Sequence, residues 1–147
     1  MTDILYIERE MSPEEYKRVT SAFNEHTVEH GNPIEISERI GFVALDGEKF
    51  IGTSTGLAYK DGKKYYNWFY LSDLLVEKDY RGKAIGKILL DKLENKIKSL
   101  GIKYIWTWTA GYEAPGFYKK QGYQEFFEMK DWFPSGHSRI GMWKEIV

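Results

Sequence analysis

The chain contains no cysteine. That excludes a disulfide framework and any cysteine-ligated metal centre. It has no excess of charge of one sign: 21 Lys and Arg stand against 22 Asp and Glu, for a formal net charge of -1. No basic field is available to attract nucleic acid, and the basic clusters Lys63-Lys64 and Lys119-Lys120 are short. No apolar run approaches the length of a membrane span. The opening Met-Thr-Asp-Ile has no basic stretch followed by an apolar run, the mark of a secretory leader. A cytoplasmic protein that partners neither nucleic acid nor membrane is expected. Histidine is scarce: of His26, His30 and His137, only the first two have helical spacing. Zinc generally needs a third protein ligand, so no metal site is expected.

What is present suits a globular enzyme-sized unit. A length of 147 residues predicts one domain, residues 1–147, with one core. Hydrophobic residues make up 42% and charged residues 29%, an ordinary soluble balance. Aromatics reach 16%, with 5 Trp, 11 Tyr and 8 Phe. Such residues supply core volume and also line ligand clefts. No repeat, low-complexity tract or linker interrupts the chain.

Ile4 to Glu8 reads as a first strand. Ser12-Pro13-Glu14-Glu15 reads as a helix start, with a Ser cap, Pro in the first turn and acids beside the positive end of the helix dipole. That helix runs to about Glu29, and Gly31-Asn32-Pro33 stops it. Residues 33–39 fit a short helix or a loop. Ile40 to Leu45, Phe50 to Tyr59 and Tyr65 to Val76 read as strands joined by hairpin turns at Asp46-Gly47 and Asp61-Gly62. The period then changes. From about Ala84 to Ser99, Ile85, Ile88, Leu89, Leu93 and Ile97 fall on one helical face, and Gly101 closes the helix. Ile102 to Thr109 is a strand and Glu113 to Gln121 a short helix stopped by Gly122. Tyr123 to Met129 and Arg139 to Ile146 are two final strands, joined by the turn-rich loop Phe133-Pro134-Ser135-Gly136-His137.

The junction between the long third hairpin strand and the following helix carries the chemistry. A helix N-terminus presents unpaired N–H groups and a partial positive charge. Gly82, Ala84 and Gly86 let a ligand approach that backbone, and Arg81, Lys83 and Lys87 add positive charge. The arrangement suits a pyrophosphate. A dinucleotide fingerprint and a P-loop are both absent, because Gly86-Lys87 is followed by Ile88 rather than Ser or Thr. On spacing alone, an ordinary strand-to-helix turn with basic residues remains the alternative.

The run LSDLLVEKDYRGKAIGKILL resembles motif A of the GNAT family of N-acetyltransferases. Arg81 occupies the first motif position and Gly86 the last, with Ala84 in place of the middle glycine. The run AGYEAPGFYKKQGY is similar to motif B of the same family, with Ala114, Phe117, Tyr118, Gly122 and Tyr123 in the motif places. The tail FPSGHSRIGMW resembles that of small bacterial members with a Pro-x-Gly-His-Ser loop. The resemblance covers nearly the whole chain. It implies an α+β fold: a central mixed, mostly antiparallel sheet flanked by helices in three layers. In that sheet the fourth and fifth strands, here Tyr65–Val76 and Ile102–Thr109, splay apart.

The same resemblance implies acetyl-CoA as co-substrate, with no metal. Backbone groups of Leu74, Leu75 and Val76 would pair with the pantetheine arm. N–H groups around Arg81, Gly82, Lys83, Ala84, Ile85, Gly86 and Lys87 would hold the pyrophosphate. Tyr118 stands at the family's general-acid position. Asp73 is the candidate base, with Glu113 beside motif B as a second. Strand alternation puts Asp73 on the face opposite Trp68, Tyr70 and Ser72, unless a bulge of the kind found in the family re-aims it. The family often has an Asn where this chain has Gly111. Glu29, Trp68, Tyr70 and Trp108 are the expected acceptor contacts, acids and aromatics together suiting a cationic amine. The implied activity is acetylation of a primary amine on a metabolite, polyamine or aminoglycoside-like antibiotic. A protein or peptide amine, and a non-catalytic acyl-CoA-binding regulatory domain, are the alternatives. The resemblance leaves a homodimer open.

Overall fold

A computed structural model describes residues 3–147. The chain divides into two compact units, one ending at Glu35 and one running from Ile36 to Val147.

The first unit contains one helix, α1, Pro13–Glu29. Its start follows from the capping box: the Glu15 N–H donates to the Ser12 hydroxyl, and the Glu15 carboxylate accepts from the Ser12 N–H at 2.7 Å. His30 closes it, and Gly31 at φ +77 turns the chain out. The strand expected at Ile4–Glu8 does not form; these residues are irregular. A short apolar run makes a strand only where a ladder satisfies the backbone, and the ladders of the sheet include none of these five positions.

The second unit is a mixed sheet of six strands in the order β1-β2-β3-β4-β6-β5. The strands are β1 Ile36–Asp46, β2 Lys49–Asp61, β3 Lys64–Val76, β4 Tyr104–Ala110, β5 Gln124–Met129 and β6 Arg139–Glu145. Only β3 and β4 pair in parallel, across the intervening helix α2, Ile85–Ser99. The short helix α3, Pro115–Lys120, joins β4 to β5. Of residues 33–39, expected as a short helix or a loop, 33–35 are irregular, while Ile36–Arg39 are instead the start of β1 and pair with Lys60–Leu57 of the longer β2.

The core lies between the sheet and α2. Phe69 and Leu71 of β3, Leu90, Leu93 and Ile97 of α2, Ile105 of β4 and Met142 of β6 are all fully buried. Each such side chain contributes about 1.5–3 kcal/mol through removal from water. Ser54 is the polar member: its hydroxyl donates to the Leu89 carbonyl at 2.8 Å and ties α2 to β2. No helix among the described residues is long and apolar enough to cross a membrane.

Two departures from regular pairing position the site. The first is a bulge in β3. Thr55 pairs with Asp73 and Gly56 with Leu71, so Ser72 has no opposite number. Phe69 and Leu71 point into the core before the bulge, and Leu74 packs there after it. The bulge thus reverses the phase of the strand and brings Asp73 onto the face of Trp68 and Tyr70. Gly56 permits this: a Cβ there would lie 2.0 Å from the Tyr70 carbonyl oxygen. The second departure is the parting of β3 and β4. They pair only through Trp68–Tyr70 and Tyr104–Trp106, then diverge. This is the expected splay, between what become the third and fourth strands of the sheet because the first expected strand is absent.

Candidate active site

A cleft of about 860 Å³ opens where β3 and β4 part. One wall is Ser72–Val76 of β3, the other Thr107–Thr109 of β4. Beyond Tyr70 the β4-facing edge of β3 has no strand partner; side chains of Thr107 and Arg81 take the Leu71 and Val76 carbonyls, and the stretch between them is open to the amides of an extended ligand.

The start of α2 contributes to the cleft. Arg81 and Gly86 line it, and the Arg81 side chain donates from Nε to the Val76 carbonyl at 3.2 Å. The Ile88 N–H donates to the Ala84 carbonyl as the first helical bond, which leaves the N–H groups of Ile85, Gly86 and Lys87 directed out of the helix end. Gly82 and Ala84 both have positive φ, +76 and 62. Ala84 is thus a non-glycine residue in the left-handed region, where the β-carbon costs roughly 1–2 kcal/mol. The turn is retained with an alanine at the price of strain. Tyr80 anchors the approach to this turn, its hydroxyl donating to the Asp46 carboxylate. Lys83 lies 5.4 Å from the Tyr80 ring centre, and Lys87 pairs with Asp91 at 2.8 Å. Gly82, Lys83, Ala84, Ile85 and Lys87 flank the cleft without lining it.

Helix α3 also lines the cleft, through Phe117 and Tyr118, with Phe117 close to Gly86. Tyr118 lines the cleft and is 6% exposed. Burial pushes its phenol up to about 12, an effect opposed by hydrogen bonding with Thr107 and reinforced by the charge of Glu113. Tyr118 is therefore protonated throughout the neutral range. Behind it, Tyr123 donates to Glu94 at 2.8 Å, and Glu94 accepts from Lys144 at 2.7 Å. Burial and the Glu94 carboxylate push the Tyr123 phenol far up.

Of the expected catalytic pair, Asp73 also lines the cleft. The Ser72 hydroxyl lies 2.8 Å from its Oδ2, and Arg39 donates to the same hydroxyl at 3.2 Å. Simple alternation put Asp73 on the opposite face; the bulge corrects that. Glu113 lines the cleft as well. Leu74, Leu75, Val76 and Trp108 are brought to it together with Arg81, Gly86 and Tyr118. Trp68 and Tyr70 are not among the lining residues. They stack on Tyr104 and Trp106, at 4.7 and 4.6 Å between ring centres, as an aromatic floor along the same sheet face. Glu29 belongs to the first unit, where it pairs with His26 at 3.9 Å. At Gly111 a Cβ would make only ordinary contacts, so an asparagine there is not excluded by space.

Thr107 and Tyr112 were missed in the sequence. The signal for Thr107 was present: alternation along Trp106-Thr107-Trp108 directs it to the face of the motif B helix. Its hydroxyl donates to the Leu71 carbonyl at 2.8 Å.

The profile of the acetyltransferase (GNAT) family matches residues 3–123. The chain belongs to that family and is an acetyltransferase. No curated protein matches the sequence. An acetyltransferase from Bacillus cereus ATCC 14579 is similar in structure, with TM-score 0.79 and 24% identity over 96% of this chain and 97% of that one. An aminoglycoside 6'-N-acetyltransferase complexed with coenzyme A aligns with TM-score 0.63 and 23% identity, over 92% of this chain and 84% of that one. The aminoglycoside 6'-N-acetyltransferase from Enterococcus faecium aligns with TM-score 0.63 and 22% identity, over 90% and 88%. These likenesses show the acyl-CoA N-acyltransferase fold.

Proposed function

We propose that this chain transfers the acetyl group of acetyl-CoA to a primary amine of a small molecule, by direct attack, as a cytoplasmic enzyme whose single catalytic domain is residues 1–147. The observation that carries the reading is one cleft that collects a helix N-terminus with Arg81, the unpaired stretch of β3 and the buried, protonated Tyr118. The free edge of Leu74–Val76 fits a pantetheine arm, and the α2 turn fits a pyrophosphate. Bound there, acetyl-CoA supplies an activated thioester.

The chain's own residues have separable tasks. The amine must be neutral to attack the carbonyl carbon. Asp73, turned into the cleft by the bulge, takes its proton, directly or through water. As the new C–N bond forms, the C–S bond breaks, and the Tyr118 phenolic proton passes to the departing sulfur. A phenol held near 12 keeps its proton until a thiolate develops beside it. The neighbouring aminoglycoside enzymes, with a small-molecule acceptor by name, support a small acceptor here.

The test is mass spectrometry of a panel of small amines incubated with acetyl-CoA and the protein. An N-acetylated product with stoichiometric release of free thiol is the expected result. Acetylation confined to peptide N-termini or lysine side chains would assign the enzyme to proteins instead.

A further inference from the structure

The loop joining β5 to β6 is not used by the reaction just described, yet it is fastened to the cleft mouth. The Phe133 N–H donates to the His137 carbonyl at 3.1 Å, and the Gly136 N–H to the Phe133 carbonyl at 2.8 Å. His137 Nδ1 lies 2.9 Å from the Ser135 hydroxyl. The Gly111 N–H donates to the Ser138 carbonyl at 2.8 Å, which ties the loop to the end of β4. The rings of Phe133 and His137 meet Tyr112, a cleft residue, edge-on at 5.4 and 5.2 Å.

This closed loop holds Arg139 in an unusual setting. The guanidinium carbon lies 3.8 Å from the ring centre of Trp108 and 5.0 Å from that of Trp132. Trp108 itself lines the cleft. Asp131, immediately before Trp132, is in the left-handed region at φ 55, a strained conformation for a residue with a β-carbon. The Arg139 Nε is buried and has no hydrogen-bond partner. Arg139 makes no ion pair among the described residues, and the nearby Glu128 carboxylate accepts from Ser138 instead.

Stacking on indoles fixes the plane of a guanidinium but uses none of its five N–H donors. The buried Nε is the one donor here shut off from water without a partner, and a planar carboxylate is the group that matches the fork of a guanidinium. Arg139 does not itself line the cleft and borders it through Trp108, while the carboxylates that line it are Asp73 on the β3 wall and Glu113 before α3. A site with an acid on β3 and a cation on β6 matches a molecule that carries an ammonium and a carboxylate. A second ammonium near Arg139 would be repelled.

We propose that the acceptor is a carboxylate-bearing amine, a free amino acid or a close analogue, and that Arg139 on Trp108 receives its carboxylate while its amine points to Asp73 and Tyr118. This rests on the acetyltransferase reading above and narrows its acceptor, away from polycationic antibiotics.

Matched acceptors test it. Free α-, β- and γ-amino acids and their primary amides are compared by kcat/KM with saturating acetyl-CoA, in the native protein, Arg139→Gln and Arg139→Lys. The acid is expected to be preferred over its amide. Arg139→Gln is expected to lower kcat/KM for the acid by about thirtyfold or more, chiefly through KM, so that the preference collapses. Arg139→Lys keeps the charge without the fork and falls between. Acetyl-CoA affinity and the melting temperature, measured on each variant, establish that the fold and the α2 site survive. Equal use of acid and amide by the native protein, or equal slowing of both by Arg139→Gln, overturns the proposal. If no amine is acetylated although acetyl-CoA binds, the reaction reading fails. Calorimetric titration with the same amino acids then decides the site by itself: saturable binding lost in Arg139→Gln upholds it, and absence of binding to the native protein sinks it.

Discussion

The Thr107 hydroxyl donates to the carbonyl of Leu71 at the point where β3 and β4 cease to pair. A carbonyl that loses its ladder partner inside a protein needs another donor. Thr107 supplies it, and the same hydroxyl opposes the effect of burial on the Tyr118 phenol. One buried side chain thus links the opening of the cleft to the candidate acid. Thr107→Val keeps the shape and removes the hydroxyl. It is expected to cost about 1–3 kcal/mol in denaturant unfolding, the penalty for an unsatisfied buried carbonyl. It should also lower kcat, because Tyr118 loses an orienting partner. A full-rate, full-stability variant would mean that water replaces the hydroxyl.

Tyr118→Phe removes the proton donor while keeping the ring in its packed place. A loss of about 10²–10⁴ in kcat is expected, with acetyl-CoA affinity retained. The pH dependence of stability checks the environment separately. Burial raises the native phenol from 10.0 to about 12, so between those values the unfolded chain loses the proton and the native one keeps it. Stability is then undiminished below pH 10 and falls as pH rises towards 12, by about 2–3 kcal/mol for a shift of that size. Tyr123, whose phenol is also raised, contributes an alkaline loss to both proteins, so the native curve should fall by about 2–3 kcal/mol more than the Tyr118→Phe curve over that range.

Ala84→Gly should stabilise the protein. Relief of a left-handed β-carbon gains roughly 1–2 kcal/mol, and the greater freedom of glycine in the unfolded chain offsets about 0.4–1 of it. A net gain of about 0.5–1 kcal/mol in urea is expected, with the acetyl-CoA KM not raised. A destabilised Ala84→Gly protein would show that the turn is not strained.

Gly56→Ala probes the bulge. The added β-carbon would meet the Tyr70 carbonyl at 2.0 Å and the Phe69 ring at 2.6 Å, both in the middle of the sheet. Backbone cannot yield as a flexible side chain does, and a loss of about 3 kcal/mol or more is expected. Any folded remainder should show a larger loss of kcat than Thr107→Val, because Asp73 depends on the phase reversal that follows Gly56.

Glu94→Ala tests the polar cluster behind the site. It leaves the Lys144 ammonium and the Tyr123 hydroxyl without their acceptor. Lys144 is 28% exposed, so water recovers part of the loss, and about 2 kcal/mol is expected rather than the larger cost of a fully buried pair. Thermal melting measures it, and Glu94→Gln should restore part of the stability through its amide.

The amino-acid sequence by itself determined the features that depend on local chemistry. The capping box and the Gly31 stop delimit α1 as expected, because capping groups and glycine act within a few residues. The 3.6-residue apolar period defines α2, and the hairpin turns at Gly47 and Gly62 separate β1, β2 and β3. The paired motifs were enough to indicate the family, since each encodes a turn or helix with its own local pattern.

Tertiary structure decided what depends on partners distant in the chain. Ile4–Glu8 has the short apolar run of a strand but no ladder, so composition alone misleads there. The face of Asp73 depends on a bulge registered against Gly56, and no pattern within β3 announces it. The φ of Ala84 was not readable from its identity, because alanine signals the ordinary right-handed region. Arg139 reads in sequence as one more strand cation. Only folding brings Trp108 from β4 and Trp132 from the loop against it, and hydrogen-bond satisfaction, a three-dimensional property, reveals that its buried Nε has no partner.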